Sequence, residues 1–341
     1  PLLAFGRAAR YVHRNADDTP VAGTEAPWIY TSGISGVRKL ALDMVTDRPA
    51  LCPAAAAPPT VDGRLNDACW DNRERLILRG VDQIADPDTD VFLRHDDRHL
   101  YIAYRRRAAV RDGTLVPWTA RARGEHTRVF RDDSVSIRLY TKYSAVWLDV
   151  SASGASFGVR GKGYGGFTAQ RLKAWARAVN TTDQLWTAEI AVPWVELATA
   201  GIDRKKGRIG VHIESINRTG VGPDRVFYRH RVEGRNGLHS LLDDPSWIAF
   251  GEAATIEPRR FTVRLHFAEI AGVPPSGRVF DVLLQGASAI PALDVAGVVG
   301  PHRALVKEVK GVLIDDRLEI EFVPRPGGQL PVCNGLEVIP E

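Results

Sequence analysis

Apolar and polar side chains alternate strictly along Phe261-Thr262-Val263-Arg264-Leu265-His266-Phe267. Successive side chains of an extended chain point to opposite faces, so this run predicts a β-strand with one buried face. Similar alternation recurs in shorter runs at 100–104, 135–139, 146–150, 209–213 and 318–322. Gly, Pro and Asp residues separate these runs, as is typical of antiparallel strands joined by turns. The sequence therefore predicts an all-β fold of two antiparallel, jelly-roll-like β-sandwich domains.

Helical signals are few by comparison. Residues 167–179 can be interpreted as a short helix, and residues 193–199 as a single helical turn that follows a strand. We expect these two segments to be the exceptions in a chain of strands.

The chain has 341 residues, which fits two sandwich domains. An Ala/Pro tract at 52–59 cannot pair inside a sheet and predicts a linker, and a second boundary falls near 253–258. These boundaries divide the chain into 1–50, 54–253 and 258–341. A predicted strand in the first piece lacks an obvious partner nearby, and the third piece opens directly with a long strand. We therefore expect the middle region to be inserted into a loop of an outer domain.

Composition excludes several classes of protein. The net charge of +4 is not gathered into basic stretches interleaved with aromatic residues, so nucleic-acid binding is not expected. No apolar run approaches the roughly 18–20 residues of a membrane-spanning helix. Three cysteines do not make a disulfide framework, although Cys52 and Cys69 could pair. The chain begins at Pro1 without a signal peptide, so we expect a mature or excised part of a longer protein.

Short motifs follow one another in a characteristic order through the middle region. They are Thr60-Val61-Asp62-Gly63 with Trp70, Thr89-Asp90-Val91-Phe92-Leu93, Asp96-Asp97 before Leu100-Tyr101-Ile102-Ala103, Asp132-Asp133-Ser134-Val135, Trp186 with Glu189 and Pro193-Trp194, and Phe250-Gly251. This ordered set resembles the family 9 carbohydrate-binding modules and their DOMON-like relatives. The resemblance implies a β-sandwich that binds sugar without catalysis.

The same resemblance implies where the sugar binds. In that family two facing aromatic side chains clamp a terminal sugar, and the first corresponds here to Phe130, with Trp118 in the preceding loop. The second lies before the closing Phe250-Gly251, where alignment places Leu242 at the family's Trp position and Trp247 a few residues later. We predict that Trp118 or Phe130 forms a ligand site together with Trp247. Core or interface packing of these rings is the alternative.

Polar candidates accompany the aromatic ones. Arg138 and Asn217 supply planar polar side chains of the kind that pair with sugar hydroxyls. The carboxylates of Asp86, Asp88 and Asp90 are ligands of the kind that calcium prefers, although a plain surface turn is favoured over a calcium site. We expect no other cofactor, and the sequence leaves open whether a metal is bound.

The last region carries two further motifs, Leu265-His266-Phe267-Ala268-Glu269 and Arg278-Val279-Phe280-Asp281-Val282. They resemble the C-terminal half of a malectin-like domain, and 27–33 is similar to the strand region that precedes them. Malectin domains bind glucose disaccharides through aromatic side chains and an Asp, and Tyr30 corresponds to one of those aromatic positions. Ala271-Gly272 and Gly328-Gln329-Leu330 stand where the other binding residues are expected. The resemblance therefore implies a scaffold role, in which Asp281 and Glu269 support loops.

We predict a non-catalytic carbohydrate-binding or adhesion module pair within a larger secreted, periplasmic or cell-surface protein. Its expected partners are an oligo- or polysaccharide and other domains or subunits of the assembly. The alternative is a structural interaction module whose sugar sites have decayed, and a weaker one is an enzyme-accessory or redox domain. Catalysis is not expected because no nucleophile elbow or triad spacing is present. Adjacent carboxylates such as Asp132 and Asp133 also point to opposite faces of a strand.

Overall fold

The computed structural model describes residues 7–10, 28–31, 39–43, 50–71, 74–76, 78–79, 89–111, 114–125, 128–141, 144–162, 170–220, 225–228, 246–251, 257–315 and 317–341. The chain forms two compact units. Unit 1 comprises Pro1–Asp47, Asp82–Pro87 and Thr255–Glu341, and unit 2 comprises Arg48–Val81 and Asp88–Ala254. Strands predominate in both units, which confirms the predicted all-β fold.

Unit 2 contains fifteen of the described strands. They are β4 (Ala50–Cys52), β5 (Leu78–Arg79), β6 (Thr89–His95), β7 (His99–Arg107), β8 (Val110–Arg111), β9 (Thr114–Leu115), β10 (Ser134–Tyr140), β11 (Ser144–Ser151), β12 (Ser156–Lys162), β13 (Gln170–Arg171), β14 (Ala176–Thr181), β15 (Leu185–Pro193), β16 (Arg208–Ile216), β17 (Arg225–Tyr228) and β18 (Ser246–Phe250). A large sheet has the order β13-β12-β11-β10-β16-β17-β5, and β18 pairs with the beginning of β16 and with β4. A second sheet has the order β14-β15-β7-β6.

The core of unit 2 is formed by apolar side chains of both sheets. Ile137, Leu148 and Ile213 come from three neighbouring strands of the large sheet, and Ile102 and Ile190 come from the second sheet. All five are almost completely buried. Because side chains alternate along a strand, the residues between them lie on the other face of each sheet.

A buried carboxylate fixes the turn at the start of this unit. Glu189 on β15 accepts hydrogen bonds from the backbone N–H groups of Asp62 and Gly63 at 3.0 and 2.7 Å, and from Nε1 of Trp70 at 2.7 Å. Gly63 has a φ of +86°, a conformation that glycine adopts without strain. One set of hydrogen bonds therefore brings together four residues from separate sequence motifs, namely Asp62, Gly63, Trp70 and Glu189.

The helix expected over 167–179 is wrong where the structure describes it. Gln170–Arg171 and Ala176–Thr181 are strands, and β14 pairs with β15 from Ala176↔Ala191 to Thr181↔Trp186. Pairing with the long strand β15 satisfies backbone groups that would otherwise lack partners, and this overrides local helix preference. The single turn predicted at 193–199 is confirmed as helix α1 (Trp194–Ala198).

All three cysteines are free thiols, so Cys52 and Cys69 do not form the disulfide that the sequence allowed. Burial raises the pKa of Cys69 to about 11 and that of Cys333 to about 12. Both thiols are therefore protonated at neutral pH.

Unit 1 consists of strands from both ends of the chain. They are β1 (Arg7–Arg10), β2 (Trp28–Thr31), β3 (Lys39–Asp43), β19 (Arg259–Ala268), β20 (Val279–Leu284), β21 (Ala287–Asp294), β22 (Ala304–Ile314), β23 (Arg317–Pro324) and β24 (Gly335–Pro340), with helix α2 (Val295–Val299) after β21. Its two sheets have the orders β1-β2-β24-β19-β22 and β21-β20-β23-β3. Phe267, Phe280 and Phe322 pack in its core. Across the described parts of both units, no helix is long and apolar enough to span a membrane.

Candidate functional site

Two of the predicted site residues lie together at one end of the large sheet of unit 2. Phe130 is in a 3₁₀ turn just before β10, and its ring is 43% exposed. The carbonyl oxygen of Phe130 accepts hydrogen bonds from Nε and Nη2 of Arg218 at 3.2 and 2.9 Å. Asn217 directly precedes Arg218 and is buried, and its Oδ1 accepts hydrogen bonds from the backbone N–H and the hydroxyl of Thr219. Asn217 therefore shapes this loop.

The neighbouring carboxylates hold the same loops in place. Asp133 accepts hydrogen bonds from the backbone N–H groups of Arg218 and Thr119 at 2.8 and 2.6 Å, and Asp132 accepts one from Ala122. Burial raises the pKa of Asp133, although these backbone donors oppose the rise. The two carboxylates connect three loops and have a structural role.

Trp118 packs mainly against the core. Its Nε1 donates a hydrogen bond to the carbonyl oxygen of Thr182 at 2.8 Å. Its ring contacts the buried Trp186 edge to face, with 6.2 Å between the ring centroids. These contacts favour core packing over ligand binding for the Trp118 ring.

Trp247 lies far from Phe130 along the sheet. Trp247 on β18 pairs with Gly210, near the beginning of β16, whereas Phe130 precedes Ser134, which pairs with Ile216 at the end of β16. Six residues of a strand span about 20 Å. The two rings therefore do not face each other across one cleft.

The structure describes no side chain for two other predicted residues. Leu242 lies outside the described residues, and Tyr30 is described only by its backbone, which pairs with Leu336. Ligand binding by Tyr30 stays a prediction.

A second group of polar and aromatic side chains occupies the outer face of the large sheet. Arg138 pairs with Trp147 on one side and with His212 on the other, so all three lie on one face. We define the sheet-face cluster as Ser136, Arg138, Tyr140, Trp147, Asp149, His212 and Glu214. The residues that alternate with them form the core on the opposite face.

Trp147 is held at the centre of this cluster. Its Nε1 donates hydrogen bonds to Asp149 Oδ1 at 2.7 Å and to Ser136 Oγ at 3.1 Å. The guanidinium carbon of Arg138 lies 4.3 Å from the Trp147 ring centroid, and Phe157 contacts the ring edge to face. The indole therefore has one orientation on the face.

The two carboxylates of the cluster have different environments. Burial raises the pKa of Asp149 to about 6, although hydrogen bonds from Ser136 and Trp147 oppose it. Burial alone would also raise the pKa of Glu214, but the hydrogen bond with His212 and the charges of Arg225 and Arg138 hold it below its usual value. Glu214 lies 3.0 Å from Nη1 of Arg225 and 3.5 Å from Nη1 of Arg138. Glu214 is therefore ionised and paired at neutral pH.

The hydroxyl of Tyr140 is an unusual feature of this face. Tyr140 is only 2% exposed, yet its hydroxyl has no hydrogen-bond partner among the described residues. Burial raises the pKa of Tyr140, and the nearby positive charge of Arg138 opposes the rise. Buried polar groups are nearly always paired, so this hydroxyl needs a partner that reaches it at a position with almost no solvent exposure. Ser136, Asp149 and His212 are also buried, whereas an antiparallel sheet commonly exposes one face to water.

The exposed edge of the same face carries Trp247 and Arg208. Trp247 is 39% exposed and pairs with Gly210, two residues before His212. Arg208 is exposed, and its guanidinium carbon lies 4.4 Å from the Trp247 ring centroid. Two of the predicted site residues, Arg138 and Trp247, thus share one face.

The other members of the sheet-face cluster were not predicted from the sequence. Their signal is the polar half of alternating runs, for example Ser136, Arg138 and Tyr140 between Val135, Ile137 and Leu139. The polar residues of an alternating run are normally interpreted as a solvated surface. Only the strand pairing shows that the polar residues of β10, β11 and β16 lie side by side on one face.

Unit 2 also contains a cavity of about 400 Å³ beside the Ala/Pro segment. It is lined by Pro53, Ala54, Ala56, Ala57, Pro58, Asp67, Ala68, Cys69, Asp71 and Arg94. Arg94 donates hydrogen bonds to the carbonyl oxygens of Cys69 and Leu93 and pairs with Asp71, so its charge is used within the protein. The cavity therefore offers less to a ligand than the outer face does.

The predicted calcium ligands are only partly described. Asp90 pairs with Arg75 at 2.9 Å and with Arg105 at 2.6 Å, whereas Asp86 and Asp88 lie outside the described residues. Among the residues that the structure describes, no group of three His, Cys, Asp or Glu side chains could hold a metal ion. Calcium binding stays an untested prediction.

Comparisons with known proteins give one family match and several similar structures. No curated protein matches the chain. A candidate carbohydrate-binding protein from Bacteroides uniformis is 13% identical, with a TM-score of 0.45 over 59% of this chain and 97% of that one. A family 9 carbohydrate-binding module from Caldicellulosiruptor kristjanssonii in complex with cellotriose is 13% identical, with a TM-score of 0.39 over 60% of this chain and 94% of that one. The malectin domain family model matches residues 252–331, so the malectin-like resemblance of this C-terminal region is confirmed.

Proposed function

We propose that this chain is a non-catalytic carbohydrate-binding module pair of a larger secreted or cell-surface protein, and that the sheet-face cluster binds the carbohydrate. The observation that carries the proposal is the presence of tryptophan rings and planar polar side chains on one sheet face. Sugars present apolar C–H surfaces that contact aromatic rings, and hydroxyls that pair with planar polar groups.

The aromatic side chains of the face are spaced for an extended ligand. Trp147 lies on β11 and Trp247 on β18, and β10 and β16 lie between these strands. Three strand spacings correspond to about 14 Å. An oligosaccharide lying across the strands could contact both rings.

The polar side chains between these rings are suited to hydroxyl recognition. Arg138 and His212 carry N–H groups, Glu214 carries carboxylate oxygens whose ion pairs with Arg138 and Arg225 leave lone pairs over, and the Tyr140 hydroxyl has no hydrogen-bond partner among the described residues. Buried hydrogen bonds are electrostatically stronger than exposed ones, so the few groups on this face can contribute substantially to affinity.

The contacts of the two carboxylates support binding rather than hydrolysis. A glycosidase needs one carboxyl group free to protonate the leaving oxygen and a second free to attack or to activate water. Here Asp149 accepts a hydrogen bond from Trp147, and Glu214 is paired with Arg138 and Arg225. Both carboxylates are engaged in fixing the face.

Affinity electrophoresis through gels that contain soluble polysaccharides tests the proposal. We expect at least one polysaccharide to retard the chain without release of reducing ends. Tyr140→Phe removes a hydroxyl that bonds to no described residue, so the variant should fold normally and bind roughly threefold to tenfold more weakly. Tyr101→Phe is the matched control, because the Tyr101 hydroxyl bonds to Asp96 and lies on the second sheet.

Three results would contradict the proposal. Release of reducing ends would contradict the non-catalytic role, and unchanged binding by Tyr140→Phe would exclude its hydroxyl from the site. No retardation by any polysaccharide would instead favour a structural module that contacts other domains or subunits.

A further inference from the structure

Arg208 differs from the other arginines of the sheet face. Its side chain is exposed and makes no ion pair or hydrogen bond with any described residue. By contrast, Arg138 and Arg225 are both paired with Glu214. The guanidinium of Arg208 instead stacks on Trp247, at 4.4 Å from the ring centroid.

Stacking of this kind prepares a guanidinium to bind an anion. Contact with the ring restrains the side chain, whereas the five N–H donors point outward in the guanidinium plane and stay available. The planar fork matches the two oxygens of a carboxylate, which it can bind through two parallel hydrogen bonds. Arg208 therefore has the geometry of a carboxylate receptor.

The surrounding charges favour an anion at the same place. Lys205 and Lys206 lie in the 3₁₀ turn that ends directly before Gly207 and Arg208. The carboxylate of Asp203 caps this turn by accepting a hydrogen bond from the backbone N–H of Lys205. Arg204 is paired with Asp97 at 2.6 Å. Among the described residues of the turn and the start of β16, the cations Lys205, Lys206 and Arg208 then remain beside the single carboxylate of Asp203, and their summed field attracts negative charge.

We propose that Arg208 and Trp247 form a carboxylate-binding subsite at the edge of the sheet-face cluster, so that the bound glycan is an acidic polysaccharide built from uronate units. This inference rests on the proposed function. The uronate carboxylate accepts the in-plane N–H groups of Arg208, and Trp247 offers apolar surface to the C–H groups of the same residue. The cluster beyond Gly210 then binds the following sugars through hydroxyls.

Matched pairs of polysaccharides test the inference directly. Polygalacturonate, alginate and hyaluronan are each compared with their methyl esters, which keep the backbone and remove the charge. We expect the wild-type chain to bind at least one acid roughly tenfold or more tightly than its ester. Arg208→Gln should abolish this preference by weakening binding of the acid far more than binding of the ester, because a neutral amide cannot form the charged pair.

Two further variants distinguish the contribution of the stacked Arg208–Trp247 pair from that of the net positive charge nearby. Lys205→Gln removes one nearby positive charge without touching the stack, and we expect the preference to change less than about twofold at physiological salt. Trp247→Leu removes the ring beneath Arg208 and should weaken binding of both the acid and the ester. All three residues are exposed, and the unfolding midpoint of each variant checks that it folds.

The possible failures are distinguishable. If the chain binds neutral glycans and shows no preference for any acid, this inference is wrong and the proposed function stands. If Arg208→Gln and Lys205→Gln reduce the preference equally, a diffuse charge effect replaces the subsite. If no polymer binds at all, both proposals fail.

Discussion

Asp149 is a buried carboxyl group whose pKa of about 6 in the folded chain has a consequence for stability. The pKa of an unfolded aspartate is about 3.9. Between about pH 4 and pH 6 the folded state retains a proton that the unfolded state has released. The free energy of unfolding therefore falls as the pH rises through this window. Above about pH 6 the folded state carries the whole free-energy cost of keeping the ionised Asp149 buried.

Asp149→Asn should remove this part of the pH dependence. The amide oxygen can still accept the hydrogen bond from Trp147, but the side chain no longer ionises. We compare the free energy of unfolding of the variant with that of the wild type. As the pH rises from 4 to 7, we expect this difference to shift in favour of the variant by on the order of 3 kcal/mol. Chemical denaturation of both proteins at each pH measures the gain. An identical difference between the two proteins at both pH values would show that Asp149 does not titrate as described.

At the residue scale, the sequence could identify only part of the candidate site. Arg138 and Trp247 were predicted as ligand residues and share the outer face, although Trp247 does not face Phe130. Trp147 was missed because it alternates with Val146 and Leu148, so the pattern places it on the face that is normally interpreted as a solvated surface. Its position beside Arg138 depends on the register between β10 and β11, which local sequence does not specify.

At the scale of single elements, the turn around Gly63 requires glycine at this position. A Cβ atom at Gly63 would lie 2.6 Å from the carbonyl carbon of Val179, and the residue has a φ of +86°. Gly63→Ala should therefore cost roughly 2–4 kcal/mol, because it combines a backbone clash with left-handed strain. Gly124→Ala is the matched control, since Gly124 has a φ of +66° and a Cβ added there would meet no atom within 4 Å, and it should cost about 1 kcal/mol. Equal losses in denaturant unfolding would mean that the contact with Val179 can relax.

The strands themselves were largely predictable, because alternation is a local property of the sequence. The runs at 135–139, 146–150 and 209–213 lie within β10, β11 and β16. The segment 176–181 was not predictable in this way, since its conformation depends on pairing with β15. Such pairing joins residues that the sequence does not mark as neighbours, so tertiary contacts decide the conformation.

At the scale of the whole molecule, unit 1 depends on both ends of the chain. β3 pairs with β23 and β2 pairs with β24, so N-terminal strands complete sheets of the C-terminal region. We propose that the middle region, 54–253, is inserted between the two parts of this outer domain. Insertion of this kind is tolerated where the two ends of a surface loop lie close together.

Removing residues 1–47 tests the insertion. The shortened chain loses β3 and β2, so β23 and β24 each keep only one of their two pairing strands, and amide exchange at 317–324 and 335–340 should become at least roughly tenfold faster. Exchange at 134–151, within unit 2, should be unchanged. Unaltered protection of β23 and β24 would mean that the C-terminal region folds without the N-terminal strands.

The central claim is that the outer face of the large sheet in unit 2 binds carbohydrate. Amide hydrogen exchange of the whole chain, with and without a saturating oligosaccharide from a retained polymer, tests it most directly. We predict slower exchange at 134–140, 144–151 and 208–216 and unchanged exchange at 304–314 in unit 1. Protection confined to residues outside β10, β11 and β16, or no retained polymer at all, would contradict the claim.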